Sequence, residues 1–98
     1  RKAEEKAHIL EGLKIALGTL EVLRCTVGAA ALGLARRALE ESLHYSRRRR
    51  QFGQALAEFQ GIRFKLAEMA TELEAARLLV YMHVRTFALF LMRRLTAM

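Results

Sequence analysis

The sequence predicts an all-α protein, an antiparallel helical hairpin that forms part of an up-down four-helix bundle. Three observations lead there. The 98 residues contain no proline. Two long series of apolar residues recur at alternating spacings of three and four, which returns them to one face of a helix. Between the series, at Gln51-Phe52-Gly53, the pattern breaks at a glycine. With 53% apolar and 28% charged residues, the chain is at most one ordinary domain.

The first series, Leu13, Leu17, Leu20, Val27, Ala31, Leu34 and Ala38, predicts a helix running to about Arg48, on the order of 50 Å long. Ala29-Ala30-Ala31 with Gly28 and Gly33 strips bulk from several faces and invites close approach of another helix, although alanine-rich helix propensity alone accounts for the alanines. Gly53 is expected to end the helix in a left-handed conformation and to make a turn. The second series, Phe59, Ile62, Leu66, Met69, Leu73, Ala76, Val80, Val84, Phe87 and Leu91, predicts a second helix. A short connection makes the two helices antiparallel neighbours, and their remaining apolar faces call for further helices.

Net charge is +7. The excess gathers in Arg47 to Arg50 and in a tail from Met82 onward that has no acidic residue, so an anionic ligand or partner suits the chain. Four adjacent guanidiniums also suit nucleic acid or an acidic protein, and a basic helical interaction module is the alternative function. A solvated helix C-terminus, where cations complement the dipole, is the bland account of the same residues. The stretch Leu78 to Met92 is interrupted by His83 and Arg85 and falls short of the roughly 20 residues of a spanning helix, so no membrane segment is expected. A single Cys25 makes no internal disulfide and fits a reducing compartment, the cytoplasm or a mitochondrial matrix. It reads as a structural thiol. Glu41 and His44 have the spacing of a di-iron half-site, but only one copy exists and His8 and His83 have no ligand-spaced partners, so no metal is assigned. Arg1 in place of an initiating Met suggests an internal fragment.

Several blocks carry a resemblance. Gly12 to Arg24 and Gly28 to Glu40 are followed, past the turn, by Arg49-Arg50-Gln51-Phe52-Gly53, Leu56 to Gln60, Lys65 to Ala70 and Ala75 to Leu79. In order and spacing these are similar to the C-terminal helical domain of flavin-dependent acyl-CoA dehydrogenases, over about residues 11–81. Blocks in register are more specific than any single motif. The resemblance implies that Arg49, Gln51 and Gln60 contact the diphosphate of an FAD bound mainly by the neighbouring subunit of a homo-oligomer, a dimer or tetramer. It implies that Phe52 packs against the flavin nucleotide and that Gly53 makes a tight turn. A guanidinium fork and neutral amides are sensible donors to phosphate oxygens.

The resemblance further implies that Glu21 and Arg24 line the acyl-CoA pocket. They are the only charged residues between Ile15 and Ala35, and a local i, i+3 ion pair is an equal reading of their spacing. The family reaction removes hydrogens from the α and β carbons of an acyl-CoA thioester and passes electrons through the flavin to an electron-transfer flavoprotein. In a minority of relatives the catalytic carboxylate directly precedes the Arg matching Arg24; here Leu23 stands there, so no catalytic residue is expected in the chain. Residues 1–10 and 82–98 depart from the family pattern as a divergent extension and a basic, apolar tail. A frameshift or truncation near Tyr81 is the expectation for that tail, and the chain alone is expected to be inactive.

Overall fold

A computed structural model describes all 98 residues. Helix α1 spans Lys2–Arg48 and α2 spans Gln60–Thr96. Between them lie strand β1 (Arg50–Gln51), strand β2 (Gln54–Ala55) and one 3-10 turn, Leu56–Glu58. The expected all-α hairpin is observed, with α1 longer than its apolar series suggested because residues 2–10 continue the helix. At ~1.5 Å per residue, α1 extends about 70 Å.

The molecule measures 78 × 30 × 16 Å, with a radius of gyration of 22.2 Å. A compact chain of this length would have about 13 Å. Only Ala55 and Ser46 are buried, so the nearest approach to a core sits where the end of α1, β2 and the start of α2 meet. There the Ser46 hydroxyl donates to the Leu43 carbonyl at 3.0 Å, and the Leu56 amide donates to the Arg49 carbonyl at 2.9 Å.

The two helices meet along unequal fulfilments of the sequence pattern. On α2 the half-buried residues include Leu66, Met69, Leu73, Ala76, Val80 and Phe87, all members of the expected series. On α1 they are Glu21, Cys25, Gly28, Leu32, Leu39, Ser42 and Leu43, whereas the expected residues Leu13, Leu17, Leu20, Val27 and Leu34 are exposed. The seam on α1 is therefore rotated by one residue from the expected one. The face the pattern selected is left open.

Gly28 lies on the observed seam. A Cβ built there would lie 3.3 and 3.4 Å from the two methyls of Val80, tighter than ordinary contact, while nothing lies within 4 Å of Gly33. Only the first of the two glycines admits a neighbour within this chain. Gly28→Val is expected to cost about 1–3 kcal/mol through overpacking against Val80. Gly33→Ala is expected to gain up to ~1 kcal/mol of helix propensity. Urea denaturation followed by circular dichroism at one fixed chain concentration checks both; equal shifts would refute this account of the seam.

The turn needs a correction. Gly53 does not end α1: the helix stops at Arg48, and Arg49 is already extended at φ −72°, ψ 126°. Gly53 instead shares the tip of an antiparallel β-hairpin with Phe52, β1 pairing Arg50 with Ala55 and Gln51 with Gln54. Each helix contains an 18-residue stretch long and apolar enough to cross a membrane. The one in α1 falls where Glu21 and Arg24 are the sole charges, outside Leu78–Met92. Inner helices of a bundle have the same composition.

Local ion pairs lie along both helices. Arg77 donates to both oxygens of Glu74 at 3.0 and 2.6 Å. This hydrogen bonding holds the Glu74 carboxyl below its ordinary range and raises the Arg77 guanidinium. A depressed carboxyl contributes stability above its unfolded pKa and loses it as pH falls through the folded value. For so exposed a pair that contribution is small.

Candidate functional site

The tip of the hairpin is built by backbone conformation. Phe52 and Gly53 both have positive φ, 52° and 81°. Two successive left-handed residues make the two-residue turn whose twist matches antiparallel strands, a turn that favours Asn-Gly. Glycine adopts this conformation freely, but a phenylalanine there is strained by roughly 1–2 kcal/mol. The strained side chain is also 94% exposed. Phe52→Asn is accordingly expected to stabilise the hairpin by about 1 kcal/mol, read as greater amide protection of residues 50–55. No gain in protection would show that the turn carries no strain.

Arg49, Gln51 and Phe52 line one shallow groove of about 690 Å³ with Tyr45, Leu56, Phe59, Gly61 and Ile62. Gln60 does not join them. It lines the adjacent groove with Glu58, Arg63, Phe64 and Ala67, although its sequence neighbours Phe59 and Gly61 border the first. Three of the four residues expected at the flavin thus share a surface within this chain, and the fourth sits around the start of α2.

The arginines at the tip divide by their partners. Arg50 Nη2 donates to the Gly53 carbonyl at 3.1 Å and clips the turn. None of the ion pairs of the chain engages Arg47, Arg48, Arg49 or Arg50. Arg49 therefore presents an uncompensated guanidinium beside an exposed aromatic ring and an amide. A planar fork next to a neutral donor and an apolar ring is chemistry for a phosphate joined to an apolar or aromatic group.

Glu21 and Arg24 form a second group, about 40 Å along α1 from Arg49. Arg24 Nη1 donates to Glu21 Oε1 at 3.2 Å, the local pair their spacing allowed. The other carboxylate oxygen, Oε2, lies 3.3 Å from His83 Nε2 on α2. Nothing local in the sequence announces this contact, because it depends on the register of one helix against the other. The Cys25 thiol meets the Glu21 carbonyl at 3.5 Å, as a helical thiol does, and no group of side chains on the chain has the composition to hold a metal.

The sequence model of the acyl-CoA dehydrogenase C-terminal domain matches residues 11–89. The chain belongs to the acyl-CoA dehydrogenase family. The match reaches further along α2 than the expected boundary at residue 81. Among relatives, the acyl-CoA dehydrogenase of Bacillus subtilis is 52% identical over 71 residues, 72% of this chain and 19% of the relative. The short-chain-specific acyl-CoA dehydrogenase of Megasphaera elsdenii is also 52% identical over 71 residues, 72% of this chain and 18% of its own length. The caffeyl-CoA reductase-Etf complex subunit CarC of Acetobacterium woodii is 44% identical over 80 residues, 82% of this chain and 21% of that protein. The chain thus spans about a fifth of the length of these relatives.

Proposed function

We propose that this chain is the part of a flavin-dependent acyl-CoA dehydrogenase that holds the FAD diphosphate at a subunit boundary. The observation that carries the reading is the grouping of Arg49, Gln51 and Phe52 on one groove, with Arg49 free of any acidic partner. These residues fit the group: Arg49 and Gln51 would hold phosphate oxygens, and Phe52 would cover the nucleotide. Bound FAD would supply the acceptor for the hydrogen removed from an acyl-CoA thioester. Gln60 would reach the same diphosphate from the start of α2 only if the ligand crosses between the two grooves.

Family membership supports an oxidoreductase, and the chain's own residues contribute binding and orientation to it. Glu21 and Arg24 would face the acyl-CoA, with the local ion pair holding the guanidinium in place. No carboxylate stands at position 23, so the base would come from elsewhere in the complete enzyme. The Acetobacterium relative is named as part of an Etf complex, which favours an electron-transfer flavoprotein as the electron acceptor here. The open face of α1 suits the remaining bundle helices and a homo-oligomer.

The test is a chimera in which residues 11–89 replace the matching segment of the Bacillus subtilis dehydrogenase. Retention of FAD through gel filtration, read by its visible absorbance, is expected. The rival reading, a basic module for nucleic acid, is tested by mixing the 98-residue chain with duplex DNA at two salt concentrations. Flavin loss from a folded chimera together with tight, salt-sensitive DNA binding would replace the flavoprotein reading with the rival.

A further inference from the structure

The contact between Glu21 and His83 is the one ion pair that joins the two helices; every other pair is an i, i+3 or i, i+4 contact within a helix. The carboxylate is shared between two groups, Oε1 accepting from the Arg24 guanidinium and Oε2 lying 3.3 Å from the His83 imidazole nitrogen. A carboxylate has lone pairs enough for both. Glu21, Arg24 and His83 are 39%, 68% and 44% exposed at their side chains, so the arrangement adds little to stability. Its consequence is orientation. Without His83 the Glu21 side chain has only its own helix to direct it; with it, one carboxylate oxygen meets α2 while the other meets Arg24.

We infer that His83 is a positioning residue, holding the Glu21–Arg24 pair in the orientation in which it meets an acyl-CoA. The inference rests on the proposed role of that pair. It adds a third residue from the other helix, one that no local pattern singles out. The groups facing the imidazole across the seam are the Glu21 carboxylate and, behind it, the Arg24 guanidinium. On its own helix the residues one turn away, Leu79, Val80, Thr86 and Phe87, are uncharged. The Glu21 carboxylate attracts a cationic imidazole more strongly than a neutral one, and the Arg24 guanidinium behind it partly offsets that attraction.

Two measurements test this. Hydrogen exchange of the 98-residue chain, corrected for intrinsic rates, reads the contact itself. At pH 5.5, protection of residues 17–25 and 79–87 is expected to fall about threefold in His83→Ala and in Glu21→Gln, and no further in the double variant. At pH 8 the differences are expected to shrink. Additive losses, or losses independent of pH, would show ordinary packing and overturn the inference.

In the chimera described above, binding of an enoyl-CoA product by calorimetry reads the positioning role. Dissociation constants are expected to rise severalfold in His83→Ala and to recover in part in His83→Gln, which keeps a donor, with FAD content unchanged. An unchanged dissociation constant in a chimera that retains FAD would overturn the role of His83 and leave the flavin reading standing. Loss of FAD from the unsubstituted chimera would instead strike at that reading.

Discussion

Replacing Arg49 with methionine is expected to weaken FAD retention by the complete enzyme about 10- to 100-fold and to leave the hairpin folded. A hydrogen bond to a charged group is worth roughly 1.5–3 kcal/mol, and 1.4 kcal/mol is about tenfold in affinity. Methionine keeps a comparable unbranched stem, so the change isolates the charge and its donors. The structure provides an internal control. Arg50 is adjacent and has the same charge, but its guanidinium is engaged by the Gly53 carbonyl at 3.1 Å. Arg50→Met is therefore expected to loosen the turn and to cost less in flavin affinity. Arg49→Lys keeps the charge and loses the planar fork, so an intermediate result is expected. Flavin affinity measured by fluorescence titration in each chimera ranks the three. Equal losses for Arg49→Met and Arg50→Met would mean that bulk positive charge, rather than the directed guanidinium, attracts the ligand.

That contrast between neighbouring arginines shows where the sequence is legible. The existence, type and order of the two helices follow from apolar spacing, and so does most of the α2 seam, although Ile62, Val84 and Leu91 of the expected series are exposed. The seam of α1 does not. Large apolar residues there occupy several faces, and the half-buried seam mixes Leu32, Leu39 and Leu43 with Glu21, Gly28 and Ser42, which add no hydrophobic signal. A count of large side chains selects the face left open for other helices. The β-hairpin was hidden for a different reason: its strands have two residues each, and its turn places phenylalanine where Asn or Gly is the usual signal.

The candidate site divides in the same way. Arg49, Gln51 and Phe52 are close in sequence and any tight turn gathers them, so the motif and the groove agree. Gln60 lies beyond the 3-10 turn, and its direction depends on the rotation of α2 about its axis, which no local pattern states. His83 is further removed. It meets Glu21 only because the helices adopt one register, the register that also brings Val80 against Gly28.

By itself, the 98-residue chain is expected to self-associate at micromolar concentration. Its accessible surface is 8857 Å², against roughly 5,700 Å² for a compact monomer of 11.2 kDa. The excess of about 3,000 Å² is of the order of the area buried in obligate interfaces. Much of it is apolar: Leu13, Leu17, Leu20, Val27 and Leu34 stand exposed on α1 and Leu79, Tyr81, Met82 and Phe90 on α2. Removing this apolar surface from water is the driving force for association. A net charge of +7 opposes close approach, and salt screens it, so association is expected to strengthen as ionic strength rises. Sedimentation velocity at low and high salt reads both effects. Leu34→Glu, at a position 75% exposed in the hairpin, is expected to weaken association while preserving helicity. A helical monomer at 10 μM in both salts, with no change in Leu34→Glu, would mean that the open face of α1 does not drive assembly and that something other than a missing bundle neighbour accounts for its composition.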